Sequence, residues 1–293
     1  IAKQLGLSQP TVSRLLKKSR SEGIVRISVN VPKGVYSQLE EQLVDKYQLV
    51  DAIVIDTLTP DDESNIMRDI GSAAAYYIET IIKPNDIIGI SSWSSTLLAL
   101  VDAMHPLNKN GENKIVQILG GIGNPSAETH ANRLTSRFAN LVKGESVFLP
   151  APGIVGSPET LALYYKDEYV ANAIDLFDHI TLALVGIGTV QPSPLLAESG
   201  NIFSAEELES LHRNNAVGDI LLHFFDEEGM PVKSFLDNRV ISMKLNQLRN
   251  VERSIGVAGG QRKFKAIRAA LRGKWINILI TDNHIAKRLI NSS

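Results

Sequence analysis

The chain has 293 residues, room for one large domain or for a small one beside a large one. Its 44% hydrophobic and 21% charged residues exclude the disordered and fibrous classes, and the absence of cysteine excludes disulfides, thiolate metal sites and a cysteine nucleophile. The formal net charge of −2 is unevenly spread: residues 1–33 hold seven basic residues and one acidic residue, a balance of +6, which leaves −8 on the remainder. A basic head on an acidic body suggests a module for polyanions, or else a solvated basic helix.

At the start of the chain, Ile1-Ala2-Lys3-Gln4-Leu5 reads as the end of a short helix, so further residues are expected to precede Ile1. Lys3, Gln4, Ser8 and Gln9 interrupt the apolar residues there, unlike a signal peptide, and no apolar run in the chain reaches the ~20 residues of a bilayer span. A cytoplasmic protein without membrane contact is therefore expected, and the lack of cysteine permits a reducing compartment. Gly6-Leu7-Ser8 forms a tight turn, Ser8 is an N-cap type, and Pro10 falls in the first turn of a helix running from Gln9 to about Ser21. Val12, Leu15 and Leu16 form its apolar stripe, with Thr11, Ser13, Arg14, Lys17 and Lys18 largely elsewhere. Gly23 stops the helix, and Ile24 to Val29 alternates like a short strand, the wing of a winged unit.

This is the anatomy of a helix-turn-helix. Short polar side chains at the start of its second helix (Ser8, Gln9, Thr11, Ser13), together with Arg14, would reach base edges, and Lys17, Lys18 and Arg20 would hold phosphates of double-stranded DNA. An amphipathic hairpin used for packing is the competing reading, but turn, cap, stripe and charge agree on DNA. Pro32 and Gly34 precede a polar helix within 34–49 in which Tyr36, Leu39, Leu43 and Tyr47 share a stripe. That helix either lies on the following domain or serves as a dimerising linker.

From residue 50 onward, strand and helix alternate. "VDAIVID", "DIIGIS", "KIVQIL", "SVFL", "ITLALVGIG", "DILLHFF", "RSIGVAGG" and "INILITD" read as strands, and helices are expected near 67–82, 96–104, 128–142, 158–176, 205–212, 264–271 and 285–290. "FDEEGMPV" reads as a turn between antiparallel strands. The alternation predicts an α/β domain over 50–293 with a parallel or mixed sheet covered on both faces. Ligands of such sheets lie beyond the carboxyl ends of the strands, which directs attention to the residues just after each strand.

After "DIIGI" comes Ser91-Ser92-Trp93-Ser94-Ser95-Thr96, opening a helix. Hydroxyls and free N–H groups at a helix start suit phosphate, though a Ser/Thr cap cluster has the same composition. No Walker loop is present. Gly120-Gly121-Ile122-Gly123 and Gly186-Ile187-Gly188 fail as dinucleotide fingerprints: the first run meets Pro125 where the helix should begin, and the second lacks its third glycine. Asp219, Lys265 and Asp282 stand at strand ends or a helix start, where they either orient a ligand or lie on the surface. Arg133 and Arg137, one turn apart, either clamp an anion or pair with nearby acids. The six histidines (His105, His130, His179, His212, His223, His284) are scattered without metal-ligand spacing, and no G-x-S-x-G elbow occurs, so neither a metal, a cofactor nor an enzyme is expected.

Taken together, "GLSQPTVSRLLKKSRSEGIVRI", "IIGISSWSSTLLAL", "QILGGIG", "LALVGIG", "NAVGDILLHFFDEEG" and "VAGGQRKFKAIRAALRGKWINILITD" resemble the SorC family of sugar-responsive regulators over essentially the whole chain. The resemblance implies a helix-turn-helix over 1–33, a linker helix over 34–49, and a domain over 50–293 with the fold of glucosamine-phosphate and ribose-phosphate isomerases, used as a sensor. It implies homo-oligomers, tetramers built as paired dimers, and an effector that is a sugar or sugar phosphate. Carried over to this chain, the implied effector pocket comprises Ser94, Ser95 and Thr96 as phosphate contacts, Gly120 and Gly121 with Arg137, Gly186 and Gly188 facing Asp219, and Lys265. One departure is Ser94, where many members carry glycine. The expected function is transcription regulation through effector-controlled operator binding. A sugar-phosphate isomerase or deaminase with Asp219 or Asp282 as base, and a DNA-binding protein without a ligand, are the rivals.

Overall fold

The computed structural model describes residues 2, 6–21, 36–57, 62–107, 111–201 and 203–292. The chain divides into two compact units, Ile1–Asn30 and Val31–Ser293. In the first, Gly6 turns the chain in the left-handed region (φ +64°), and helix α1 spans Gln9–Ser21. The Ser8 hydroxyl accepts the Thr11 N–H at 3.3 Å and meets the Thr11 hydroxyl at 2.8 Å, which caps the helix. Ser8, Gln9, Ser13, Arg14, Lys17 and Lys18 are exposed, and Thr11 is half-buried. The strand expected over 24–29 lies outside the described residues, as does the side chain of Arg20.

The second unit begins with α2 (Ser37–Tyr47), β1 (Asp51–Ile55), α3 (Glu63–Ile81), β2 (Ile87–Ile90), α4 (Ser95–Ala103), β3 (Lys114–Gln117), α5 (Pro125–Val142) and β4 (Glu145–Val147). It continues with α6 (Pro158–Tyr164), α7 (Glu168–Asp175), β5 (Leu182–Gly186), α8 (Pro194–Glu198), α9 (Ala205–Arg213), β6 (Gly218–Ile220) and β7 (His223–Phe225). Helix α10 (Leu245–Arg249), β8 (Arg253–Val257), α11 (Phe264–Arg272), β9 (Ile278–Asp282) and α12 (Asn283–Asn291) complete it.

Seven strands form one parallel sheet in the order β1-β9-β8-β5-β2-β3-β4, with Gly89 opposite Ala183 and Val185 opposite Gly256. The two-residue period of a strand divides the apolar side chains between two cores. Ile88, Ile90, Leu182, Leu184, Ile255 and Ile280 face α3, α4 and α5 on one side; Val54, Val116, Ala183, Val185 and Leu279 face the other. Burial on both faces is what makes these strands read as nearly continuous apolar runs. From β2 the chain steps outward to β3 and β4, whereas β5 leads to β8 and β9 on the opposite side. The reversal between β2 and β5 leaves a crevice at their carboxyl ends.

Helix α2 lies on this unit. Leu43 is fully buried, Glu40 accepts the Val54 N–H at 2.9 Å, and Lys46 and Tyr47 donate to the Leu289 carbonyl at 2.9 and 3.1 Å. Two elements differ from the sequence reading. The helix expected over 158–176 is broken because Asp167 caps a second helix, accepting the N–H groups of Tyr169 and Val170. The run expected as one strand over 219–225 folds back on itself as β6 and β7, paired antiparallel around Leu221-Leu222. The turn expected over 225–232 is present after β7, closed by a bridge between Phe225 and Pro231.

At the amino ends of the central strands, a buried ion pair joins β2, β5 and β8. Arg253 donates to Asp86 at 2.6 Å, Thr181 donates to the same oxygen at 2.7 Å, and the Lys83 N–H donates to the other at 2.7 Å. Burial by itself would raise the Asp86 pKa, but these donors and the Arg253 charge outweigh it and hold the carboxyl below its ordinary value. A depressed pKa contributes stability above the unfolded value, and this is lost as pH falls through the folded one. Asp86→Ala is expected to cost about 3–5 kcal/mol because it strands a buried guanidinium. Urea unfolding at neutral pH would measure this loss, and the deficit should shrink as the pH is lowered below 4, roughly the unfolded pKa of an aspartate.

Candidate functional site

The crevice holds a cavity of about 290 Å³. Its floor is the loop from β2 into α4. The Ser91 N–H donates to the Leu184 carbonyl at 3.1 Å and the Ser92 hydroxyl to the Leu119 carbonyl at 2.6 Å, which ties the loop to both neighbouring strands. Trp93 is buried against the cavity with its indole N–H on the Gly120 carbonyl at 2.8 Å. Ser94 is the N-cap of α4, accepting the Leu97 N–H at 3.3 Å, and Ser95 and Thr96 head the helix beside the cavity. First-turn N–H groups have no acceptor within their own helix, so the positive end of α4 opens into the cavity with two hydroxyls beside it.

The opposite wall is built from the end of β5 and the β6–β7 hairpin. Gly188 and Asp219 form an antiparallel bridge, with N–H to carbonyl distances of 3.0 and 3.2 Å. The approach is so close that a Cβ on Gly188 would stand 2.0 Å from Asp219 Oδ1, and one on Gly186 would stand 2.8 Å from Ser94 Oγ. Leu221 and Leu222 form the hairpin turn with φ of +55° and +65°, a conformation bulky side chains rarely take. The Leu222 N–H donates to Asp219 Oδ2 at 3.0 Å, and both leucines bury their side chains against the cavity, which offsets the strain. Asp219 thus staples the turn and presents its carboxyl to the cavity. Burial pushes that carboxyl up to about 6, against the Leu222 N–H and the charge of Lys263.

The third wall is the turn after β8, with Gly259, Arg262 and Lys263 lining the cavity. Burial holds the Lys263 ammonium below its ordinary pKa, while Asp219 and Glu63 pull it upward and Arg262 adds to the lowering. Arg262 pairs across the cavity mouth with Glu63 of α3 at 3.3 Å. The site therefore sets a helix N-terminus and a half-buried lysine against a carboxyl whose pKa burial raises to about 6.

Of the residues singled out in the sequence, Ser94, Ser95, Thr96, Gly186, Gly188 and Asp219 come together here. Gly120 and Gly121 instead bond through their backbones to Ile241 and Leu149. Arg137 pairs with Asp102 at 3.1 Å, and Arg133 with the same carboxylate at 3.4 Å. Lys265 is exposed and pairs with Glu227 at 2.7 Å; the lysine of that segment that lines the cavity is Lys263. Asp282 caps α12 and takes no part in the lining. Glu63 and Leu222 were not singled out as contacts, and Trp93 only as part of the 91–96 loop. Glu63 opens a helix after a stretch without strong pattern, and a turn of two leucines carries no glycine or asparagine to mark it. Among the described residues, no group of histidines and carboxylates could hold a metal ion.

Comparison with known proteins adds a family. A model of a sugar-binding domain matches residues 34–291. The chain belongs to the SorC-type family of sugar-binding transcriptional regulators. The deoxyribonucleoside regulator of Bacillus subtilis is 36% identical over 99% of this chain and 91% of its own length. The crystal structure of the full-length sorbitol operon regulator SorC from Klebsiella pneumoniae superposes with a TM-score of 0.81 at 29% identity, over 99% of this chain and 92% of that one. A sugar-binding domain of the regulator DeoR from Pseudomonas syringae pv. tomato gives a TM-score of 0.68 at 40% identity, covering 88% of this chain and all of that one. As a SorC-type regulator, the chain couples a sugar-binding effector domain to control of transcription, and no helix among its described residues is long and apolar enough to cross a membrane.

Because the Asp219 pKa is raised above its unfolded value, its contribution to stability is greatest at low pH and is lost as pH rises through about 6. Asp219→Asn is therefore expected to stabilise the ligand-free regulator at pH 8, by up to about 3 kcal/mol, and to change little at pH 4. Thermal unfolding at the two pH values measures this. Gly188→Ala, which drives a methyl into the Asp219 carboxylate, is expected to lower the midpoint at both, at a cost of about 1–3 kcal/mol.

Proposed function

We propose that the cavity holds a phosphorylated sugar, with its phosphate at the N-terminus of α4 and one of its hydroxyls on Asp219. The observation that carries this reading is the meeting of Ser95, Thr96 and Lys263 around one cavity. A phosphate there would accept from first-turn N–H groups and from hydroxyls, and its charge would favour the ammonium that burial disfavours at Lys263. Asp219 is suited to a sugar hydroxyl because its carboxyl can donate when protonated and accept when ionised. The names of the relatives, regulators for deoxyribonucleosides and for a sorbitol operon, are in keeping with an effector of this chemistry. The cavity acts as a sensor and not as a catalyst: Asp219 is committed to the hairpin turn by its bond to the Leu222 N–H.

At the other end of the chain, α1 serves as the recognition helix of a winged helix-turn-helix covering about 1–33, with 34–49 as connector. Ser8, Gln9, Thr11, Ser13 and Arg14 face base edges, and Lys17, Lys18 and Arg20 hold phosphates. A homo-oligomer, dimer or tetramer, would set two such helices on half-sites of double-stranded operator DNA. Effector binding unequally to two arrangements of that oligomer would shift operator affinity by roughly 5–150-fold, the usual range of allosteric coupling. The setting is the cytoplasm, where both DNA and phosphorylated sugars are at hand.

Thermal unfolding of the full chain against a panel of free sugars, polyols and their phosphates tests the sensor. A ligand at 100 times its dissociation constant should add about 2.7 kcal/mol. A midpoint shift is expected with a sugar phosphate, and it should be lost in Lys263→Ala and in the double variant Ser95→Ala/Thr96→Ala. A shift with free sugars alone would remove the phosphate from the account. For the DNA reading, Arg14→Ala should weaken operator binding in a filter or fluorescence assay while leaving the effector shift intact. Unchanged DNA affinity would mean that α1 is not the recognition helix.

A further inference from the structure

Asp282 was a candidate ligand residue in the sequence, yet it is 2% exposed and is not among the residues that line the cavity. It makes two separate attachments. One oxygen accepts the N–H groups of His284 and Ile285, capping α12; the other accepts the Gly260 N–H at 2.7 Å. Gly260 is followed by the turn that carries Arg262 and Lys263 into the cavity. The same carboxylate therefore anchors the start of α12 and the start of the effector-lining turn.

The next residue faces the other way. The Asn283 amide donates to Asp56 at 2.9 Å and to the hydroxyl of Tyr36 at 3.2 Å. Tyr36 is the N-cap residue of α2, the helix through which the chain leads back toward α1. Farther along α12, the carbonyls of Leu289 and Ile290 accept from Lys46 of α2 at 2.9 and 3.0 Å. Helix α12 thus grips the cavity turn on one side and both ends of the connector helix on the other, through polar contacts of fixed geometry.

We propose that Asp282 is a positioning residue that links occupancy of the cavity to α2, by holding the 260–263 turn and α12 as one piece. The proposal rests on the reading of the cavity as an effector site. A phosphate drawing Lys263 inward would pull on Gly260, and Asp282 would pass that displacement to α12 and so to Tyr36. Lys263 touches the ligand in this scheme; Asp282 and Tyr36 do not. The coupling lies in shared hydrogen bonds, and it needs two arrangements of the turn that the ligand distinguishes.

Hydrogen exchange of the full chain, with inorganic phosphate at saturating concentration against chloride at equal ionic strength, tests this. In the unsubstituted chain, phosphate should slow exchange at 91–96, at 260–263 and, about fivefold or more, at 37–47. Asp282→Asn keeps an oxygen for the α12 cap and turns a donor toward the Gly260 N–H; Tyr36→Phe leaves Asp282 untouched and removes the bonds of the Tyr36 hydroxyl to Asn283 and Asp56. In both variants protection at 91–96 should remain while protection at 37–47 is lost. Protection at 37–47 that survives in both, or that is missing from the unsubstituted chain while the cavity is protected, overturns the proposal. Phosphate that protects no segment contradicts the phosphate reading of the cavity instead. Lys263→Ala then serves as the perturbation of the turn: altered exchange at 260–263 carried to 37–47 supports the link, and alteration confined to the turn overturns it.

Discussion

The cavity depends on an absence: a side chain at residue 188 would run into the Asp219 carboxylate. With the Gly188 backbone bridged to Asp219, a Cβ there would collide with the carboxylate, and Gly186 is pressed almost as closely by Ser94. These two approaches draw the end of β5, the cap of α4 and the β6–β7 hairpin into one wall. Remove the closeness and Asp219 loses the position from which it holds the Leu222 N–H. The strained leucine turn would then lose its staple, and the cavity one of its sides. A chain of consequences thus runs from two glycines, through one carboxylate, to the shape of the whole pocket.

The two ends of the sheet are built for different tasks. At the amino ends, Arg253 and Asp86 close three strands with a buried ion pair, the guanidinium also donating to the Ile81 carbonyl and the carboxylate accepting from Thr181. At the carboxyl ends, the chain keeps a carboxyl whose ionisation burial opposes, a lysine whose charge burial opposes, and two leucines in a left-handed turn. Unfavourable local features of this kind persist only where the surrounding structure holds them, and they gather at sites of function. In the ligand-free regulator they are a standing cost, and an anion between α4 and Lys263 would relieve part of it.

Much of this was legible in the sequence, for identifiable reasons. Strands buried on both faces announce themselves as apolar runs, and the parallel sheet follows from their alternation with helices. The rule that ligands gather beyond strand ends drew attention to the 91–96 and 186–188 loops, and the resemblance to the SorC family implied Ser94, Ser95, Thr96, Gly186, Gly188 and Asp219 as the pocket. Three things were not legible. Lys263 ends a short 3-10 turn and Lys265, two positions on, lies in the first turn of α11, so the two face differently and periodicity alone does not say which one lines the cavity. Leu221-Leu222 carries no turn signal, because tertiary burial and the Asp219 bond impose its conformation. Arg137 has the composition of an anion clamp but meets Asp102 across the α4–α5 contact, a partner 35 residues away in sequence.

The central claim is that the positive end of α4 and Lys263 together seat a phosphate. A crystal structure of the full chain grown with the sugar phosphate that most raises its unfolding midpoint tests it most directly. The account predicts phosphate density within hydrogen-bond reach of the Ser95 and Thr96 N–H groups and of Lys263 Nζ, with a sugar hydroxyl on Asp219. Phosphate density seated instead on Arg133 and Arg137, or a sugar bound with its phosphate turned out to solvent, would contradict it.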